Sequence, residues 1–471
     1  MIEINAKTRE AYDLMHQGTL ALAKMERHGI GFDEAKAQTF YVQLSEQIAT
    51  LEQKIKKSTF YKEWQRSAKT EINIYSDLQL ADFLYNIKGY TPTSVTKTGK
   101  GATNAEALGH LGIKEVDWLL DIRKLKKARD TYLGSLMREN NSGRIHPHYN
   151  LNLVTTYRSS SSDPNFQNMP KRDKEIMKIV RSCLIPSPGF HLMEVDFSQL
   201  EVSIAAAYHK DPAMIDYLKH DRDMHKDMAK QIFFLKKFDK NNPYHSYLRK
   251  AAKNGFVFPQ FYGDYYKPCA LNLGQKWGKL QDEEWKRGQG VLVDENTHLS
   301  DHLIKNGISS IYDFIEHIKK IERHFWGKRF PVYQEWKETQ WSNYQKRGYV
   351  DLYTGFRCCA PSKSGSSTLS RNDAINYPVQ GSAFHCLLWS VIQLDKQLEL
   401  HGMQTRMIGQ IHDAIVIDVH PDEVNDVVSL AKNIMTKLLP EHWSWINVPL
   451  RVEFEMTPQD GSWAEMQGLH I

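Results

Sequence analysis

The stretch Met193-Glu194-Val195-Asp196-Phe197-Ser198-Gln199-Leu200-Glu201 holds the first decision about this chain. His191 to Val195 reads as a short buried strand. Asp196 follows where that strand is expected to stop, and Glu201 opens a helical run from Val202 to Tyr208. A strand that ends on a carboxylate holds it at a sheet edge, open to a ligand. The plainer alternative is that Asp196 caps the helix, a role Asp often fills. On these residues alone the cap is the stronger reading.

A second stretch, Gln410-Ile411-His412-Asp413-Ala414, changes the balance. Apolar runs flank it, Met407 to Ile411 and Ile415 to Val419, and read as a hairpin with Asp413 at its turn. Two aspartates at strand ends, far apart in the chain, could share one site. At about 4 Å their charges would repel by roughly 4 kcal/mol at an effective dielectric of 20. That is enough to raise one protonation by about three pH units. A divalent cation removes the conflict. Magnesium uses one or two carboxylates and completes its shell with water and phosphate oxygens. Two such ions can clamp the attacking and leaving oxygens of a phosphoryl transfer.

Composition bounds the reading. The chain has 471 residues, room for two to four domains or subdomains. Charged residues at 25% and hydrophobic ones at 41% fit an ordinary globular protein. No run of eighteen apolar residues occurs, so no membrane span is expected. Met1 to Glu10 lacks the apolar core of a signal segment. The five cysteines, 183, 269, 358, 359 and 386, form neither a CxxC pair nor a Cys/His zinc spacing. A reducing compartment without a structural metal is expected. The net charge of +5 is compatible with nucleic acid, but only clustered charge would mean anything.

Along the chain, residues 1–140 read as mostly helical. Leu44, Ile48, Leu51 and Ile55 follow helical spacing, with Asp33 as N-cap upstream. Ser76-Asp77-Leu78-Gln79 and Thr103-Asn104-Ala105-Glu106 both fit a capping box. Between them lies a basic loop, Lys97-Thr98-Gly99-Lys100-Gly101-Ala102, suited to a phosphate backbone or simply solvated. Lys124, Lys126, Lys127 and Arg129 make the next helix basic, which usually means a solvated face. From Arg158 to Pro170 the chain is polar and aperiodic, a long loop of the functional kind, whose Arg, Asn and Gln side chains suit phosphates, sugars and base edges. Residues 204–375 are helical and aromatic. There Arg249 and Lys253 share a helix face, as do Phe258 and Tyr262, which would suit a triphosphate and a base pair, or an amphipathic surface helix with a proline break. Residues 264–330 carry no readable motif and are taken as an insertion. A helix burying Leu387, Val391, Leu394 and Leu398 ends near Gly402, and Leu450, Val452, Phe454 and Met456 alternate as in a half-buried strand.

In chain order, Lys97-Thr98-Gly99-Lys100, the Arg158 to Asn168 loop, Asp196-Phe197-Ser198-Gln199-Leu200-Glu201, Arg249…Lys253…Phe258…Tyr262-Gly263, Pro378-Val379-Gln380-Gly381 and His412-Asp413 resemble a family A DNA polymerase. The chain is similar to the large fragment of bacterial DNA polymerase I without its proofreading domain. The resemblance implies an α+β right-hand polymerase fold, with an antiparallel palm sheet and helical fingers and thumb. It divides the chain into an N-terminal segment packing on the palm (1–34), thumb (35–135), palm (136–203), fingers (204–390) and palm again (391–471). Residues 264–330 fall outside it and look like the longer fingers of phage members.

The resemblance implies a nucleotidyltransferase that adds deoxynucleotides to a primer 3′-hydroxyl. Asp196 and Asp413 would hold two Mg2+ ions, with Mn2+ able to substitute. Arg249, Lys253 and His225 would grip the triphosphate, and Lys253 would protonate the leaving group. Phe258, Tyr262, Gln199 and Glu201 would contact the nucleotide, Glu201 excluding a ribose hydroxyl. Arg158, Asn165, Gln167, Asn376, Gln380, Gln410, His412, Lys97 and Lys100 would contact primer-template DNA. Implied partners are primer-template DNA and dNTPs, with a separate exonuclease, helicase or processivity factor as further candidates and no membrane. The implied location is the cytoplasm of a bacterium or a phage-infected host.

Two departures matter. The family places Glu after His-Asp, where this chain has Ala414. The family also puts four steps between the triphosphate lysine and the aromatic, where Lys253 to Phe258 is five. One extra residue turns a helix face by about 100°. A π-bulge around Asn254–Pro259 is expected to absorb it, since Pro259 already breaks the hydrogen-bond ladder. The rival readings are a single-subunit RNA polymerase, which Glu201 and Phe258 disfavour, and a non-catalytic DNA-binding relative, which the presence of both aspartates disfavours. No Asp-x-Glu pair stands in a strand context, so no 3′→5′ exonuclease is expected in this chain.

Overall fold

The computed structural model describes residues 4–96, 98–109, 111–171, 173–360 and 368–469. At its centre is a five-stranded antiparallel sheet. Its spatial order is Arg406–Ile411, Ala414–Val419, His191–Phe197, Val452–Met456 and Gln467–Gly468. His191–Phe197 is the middle strand. Strand side chains alternate faces. Thus Met193, Val195 and Phe197 enter one core, while Leu192 enters another on the opposite face. Glu194 and Asp196 share the face of Leu192.

The middle strand runs two residues further than the sequence reading. Asp196 lies inside it, with Ala414 as register partner on one side and Glu453 on the other. The cause is pairing on both edges: Val452 pairs with Phe197, and Phe197 N donates to Asp413 O at 3.3 Å. The next helix, Leu200–His209, starts after Gln199, whose φ is 58° and whose side chain makes no cap bond. Asp196 is therefore no helix cap.

Two large apolar cores cover the faces of this sheet, and another lies away from it. The first packs helices Arg9–His28, Leu200–His209 and Arg371–Leu400 against the Met193/Val195 face. Arg371–Leu400 is continuous through the boundary expected at 390/391, and Leu387, Val391, Leu394 and Leu398 along it all enter the first core. The third core joins helices Glu34–Lys57, Lys114–Lys126 and Lys174–Arg181 to the other sheet face. Apart from Ala206 and Val448, the second core is built from the segment between Pro212 and Arg347, mostly from its helices. Trp285, Leu299, Leu303 and Phe314 are buried in it, so the motif-poor region 264–330 helps to build this core.

Local signals fared unevenly. Asp33 accepts from Lys36 N as the expected N-cap. Ser76 caps its helix, but the Gln79 side chain accepts from Asn73 N, so the box is not reciprocal. Asn104, not Thr103, caps Ala105–Leu108, while Thr103 donates to Asp77 Oδ1 at 2.8 Å. The polar Arg158–Pro170 stretch holds a strand, Ser160–Ser162, paired with His148–Asn150, and a 3-10 turn, Phe166–Asn168. Phe166 anchors that turn by stacking on Trp463 at 5.4 Å. The fingers-type segment contains a π-helix, Lys253–Val257, as the extra residue demanded. Among the described residues, no helix is long and apolar enough to cross a membrane.

Candidate active site

Asp413 occupies the turn between Arg406–Ile411 and Ala414–Val419, next to His412, whose φ is 49°. Because Ala414 pairs with Asp196, the turn brings Asp413 to the end of the sheet that carries Asp196. Burial pushes the Asp196 carboxyl up to about 7, with Glu194, Asp413 and Glu453 adding to the shift and Lys171 opposing it. Burial likewise raises Asp413 to about 6, Glu201 adding and Arg158 opposing. Arg158 Nη2 lies 3.8 Å from Asp413 Oδ1, and its Nη1 donates to Glu201 Oε1 at 3.0 Å. Asp413 Oδ1 is buried and accepts no hydrogen bond among the described residues.

This donor set can be tested against a divalent ion. Among the described residues no group of three or more His, Cys, Asp or Glu side chains converges. Magnesium does not need one, since two carboxylates suffice when water and phosphate complete the shell. Two acids kept near neutrality by burial, one with an oxygen lacking a partner, are what a cation would ionise and satisfy. The residues fit such an ion.

A hydrogen-bonded brace holds the turn. Gln410 Oε1 accepts from Ser159 Oγ and Gln167 Nε2, both at 2.7 Å, and Gln410 Nε2 donates to His412 O at 2.6 Å. Tyr149 Oη accepts from Gln410 N at 2.9 Å. Gln410 is 1% exposed. Both ends of its amide are used inside the protein, where the sequence reading expected a contact to DNA. Gln167 is half-buried in the same brace, while His412 and Asn165 are exposed.

Beside the turn lies a cavity of about 290 Å³, lined by Asp413, Glu201, Gln199, His225, Lys253, Phe258, Tyr262 and Asn376. The π-helix explains how Phe258 reaches it. Phe258 N donates to Lys253 O, a five-residue turn that takes up the extra residue. Lys253 Nζ then stands 5.0 Å from the Phe258 ring, and His225 meets that ring edge-on at 5.6 Å. Burial, then the Arg249 charge, lowers the Lys253 ammonium. Burial, then Lys253 and Arg249, drives His225 down to about 4, so its imidazole is neutral. Arg249 does not line the cavity; its Nε donates to Asp223 Oδ2 at 2.6 Å. Tyr262 Oη donates to Glu201 Oε2, and Asn376 Nδ2 donates to Tyr262 O at 3.2 Å.

Other predicted residues lie elsewhere. Gln380 is half-buried on Arg371–Leu400 and does not line the cavity. Lys100 lines a separate cavity of about 600 Å³ with Arg123, Lys126 and Lys127. Lys97 lies outside the described residues. A third hollow, about 560 Å³, runs along Lys124, Lys127, Lys171, Gln167 and His412 toward the turn. Lys124, Lys126 and Lys127 of the basic helix thus line open hollows on its solvated face. Lys171 and Tyr333 were missed by sequence reasoning. Lys171 follows the polar loop directly, a usable signal. Tyr333, in the cavity wall, had none, because it arrives from a distant helix.

The model of DNA polymerase family A matches residues 38–277 and 316–465. Between the two matched stretches the unmatched part is 278–315, which narrows the insertion expected at 264–330. The chain is 28% identical over 441 residues to the thermostable DNA polymerase I of Thermus thermophilus, covering 92% of this chain and 46% of that protein. It is 28% identical over 441 residues to DNA polymerase I of Pseudomonas aeruginosa, covering 92% of this chain and 42% of that one. The chain thus spans about half the length of the curated relatives it matches. In fold it is similar to the POL domain of Pol1 from M. smegmatis, solved in complex with DNA primer-template and dNTP. That likeness has a TM-score of 0.75 at 24% identity, over 96% of this chain and 70% of that one. With its antiparallel sheet, its helical cores and a family match over most of its length, the chain belongs to DNA polymerase family A.

Proposed function

We propose that this chain is a template-directed DNA polymerase that extends a primer 3′-hydroxyl with deoxynucleotides. Family A polymerases use divalent metal ions; here we assign two Mg2+ ions to Asp196 and Asp413. One observation carries the reading. Asp413 lines a cavity together with Lys253, His225 and Phe258, and Asp196 stands at the same end of the sheet as Asp413.

Each side chain then has a task. Asp196 and Asp413, once ionised, would hold the ions, which when bound would activate the hydroxyl and offset phosphate charge. Lys253 and Arg249 meet the triphosphate, where positive charge counts most because oxygens gain negative charge in the transition state. Lys253, eased toward neutrality by burial, is suited to giving a proton to departing pyrophosphate. Neutral His225 donates a hydrogen bond. Phe258 packs on the nucleotide. Glu201, braced by Arg158 and Tyr262, borders the sugar and excludes a 2′-hydroxyl. Lys171, His412 and the basic helix line the path of the duplex, together with Asn165, Gln167, Asn376 and Gln380.

The test is primer extension on a primed template with deoxynucleotides or ribonucleotides and Mg2+. We expect a ladder of products from deoxynucleotides and none with chelator. Preference for ribonucleotides would replace this reading with an RNA polymerase.

A further inference from the structure

Behind the cavity wall, Lys337 of helix Pro331–Arg347 is 5% exposed. Its Nζ lies 3.1 Å from the centre of the Trp326 ring and 5.7 Å from that of Tyr333. No hydrogen-bonded anion accompanies it among the described residues. Burying an ammonium without an anion costs several kcal/mol, and an apolar side chain of similar length is usually the more stable choice. A cation–π contact recovers about 2 kcal/mol when desolvated. Stability alone does not account for a lysine here.

The ring it sits on leads to the nucleotide-facing segment. Trp326 Nε1 donates to Gln260 Oε1 at 2.6 Å, and Gln260 Nε2 donates to Glu322 Oε1 at 2.8 Å. Gln260 is fully buried and lies in the chain between Phe258 and Tyr262, both of which line the cavity. Tyr333, also in that wall, is 5.3 Å from Trp326 and stacks on His209 at 3.9 Å.

We propose that Lys337 is a positioning residue: its charge holds the Trp326 indole, the indole holds Gln260, and Gln260 sets how Phe258 and Tyr262 meet an incoming nucleotide. The proposal rests on the polymerase reading above. The charged groups around Lys337 are Glu338 and Glu322, which favour its cation, and Arg371, which opposes it. Arg371 Nη2 donates to Glu338 Oε1 at 2.5 Å, and Glu322 is engaged by Gln260. Beyond Tyr333, His209 is kept neutral by burial and by Lys337. Burial is the largest influence on Lys337 and brings it down to about 7. The cation is therefore present below neutrality and lost above it.

The experiment varies dNTP in primer extension by the full chain near pH 6 and pH 8.5. Lys337→Met is expected to raise the dNTP KM about tenfold near pH 6, with kcat within about twofold. That factor corresponds to about 1.4 kcal/mol. The gap should shrink near pH 8.5, where the wild type has lost its charge. Lys337→Arg, charged throughout, should keep KM low at both values. Trp326→Phe keeps a ring but removes the donor to Gln260, and should raise KM like Lys337→Met. An unchanged KM in Lys337→Met or Trp326→Phe, or an arginine variant as impaired as the methionine one, overturns the proposal. The link is also read without activity. Trp326 emission, taken as wild type minus Trp326→Phe, should titrate near neutrality and stop doing so when Lys337→Met is added to both proteins. A wild type that does not extend primers sinks the polymerase reading, while persistence of that titration in Lys337→Met sinks the inference.

Discussion

Strand His191–Phe197 and segment Lys253–Tyr262 serve the same site, yet they are held in different ways. The strand is hydrogen-bonded on both edges, and its neighbours fix which face Asp196 occupies. The segment has taken in one residue more than the family spacing and still delivers Phe258 to the cavity, through a single π-turn. A sheet has a side-chain period of two, so a slip of one residue exchanges its faces. A helix can widen locally and recover its phase one turn later. The proposed metal ligand Asp196 on the former and the proposed nucleotide contacts on the latter follow that division between unyielding and adjustable backbone.

The sharpest way to break the comparison is to add a residue to each side. One alanine inserted between Val195 and Asp196 should abolish extension, at least about a thousandfold, as should Asp413→Asn, since both remove a carboxylate from the proposed metal site. Circular dichroism must show the fold retained. Turnover within tenfold of wild type in either variant would refute the metal assignment. Deleting Asn254 should instead be tolerated. The π-turn should become a regular α-turn, with the dNTP KM changed less than about tenfold, because the segment returns to four-residue spacing. A loss as complete as that of the strand insertion would show the two regions to be equally rigid.

A third effect is read in stability. Asp196 and Asp413 are raised to about 7 and about 6, above the ordinary carboxylate value of about 4 that they regain on unfolding. Such groups stabilise the fold fully below about pH 4, and that stability is lost as pH rises through 6 to 7. The metal-free Tm should therefore decline over that range. Mg2+ should restore it near neutrality by binding the ionised pair. A combined Asp196→Asn, Asp413→Asn variant should show neither the decline nor the rescue. A metal-free Tm that rises across this window would contradict the burial argument.

The smallest effect distinguishes brace from contact. Gln410→Ala removes bonds to Ser159, Gln167 and His412 and should destabilise by about 1–3 kcal/mol, leaving primed-DNA affinity near wild type. Weakened DNA binding at unchanged Tm would restore Gln410 to the interface.

Much of this was legible beforehand. The hairpin with Asp413 at its turn, the helix N-cap at Asp33 and the π-turn after Lys253 each follow from a local rule, apolar alternation, capping chemistry or helical phase. Misreadings arose where a partner far along the chain intervened. Asp196 was put past its strand because the pairing of Phe197 with Val452 is invisible locally. The inward bonding of Gln410 was not legible because its partners, Ser159 and Gln167, stand far upstream. Region 264–330 looked appended because its apolar residues show their use only when Trp285 and Phe314 close the second core.

By itself, then, the amino-acid order determined which chemical groups this protein brings to bear, and in what local shapes, since periodicity, caps and turns act over a few neighbouring residues. Tertiary structure alone decided that Asp196 and Asp413 stand at the same end of the sheet, that Gln410 turns inward, and that a buried lysine rests on Trp326. Those outcomes depend on register and packing between segments distant in the chain, where burial and the fields of neighbours outweigh local preference.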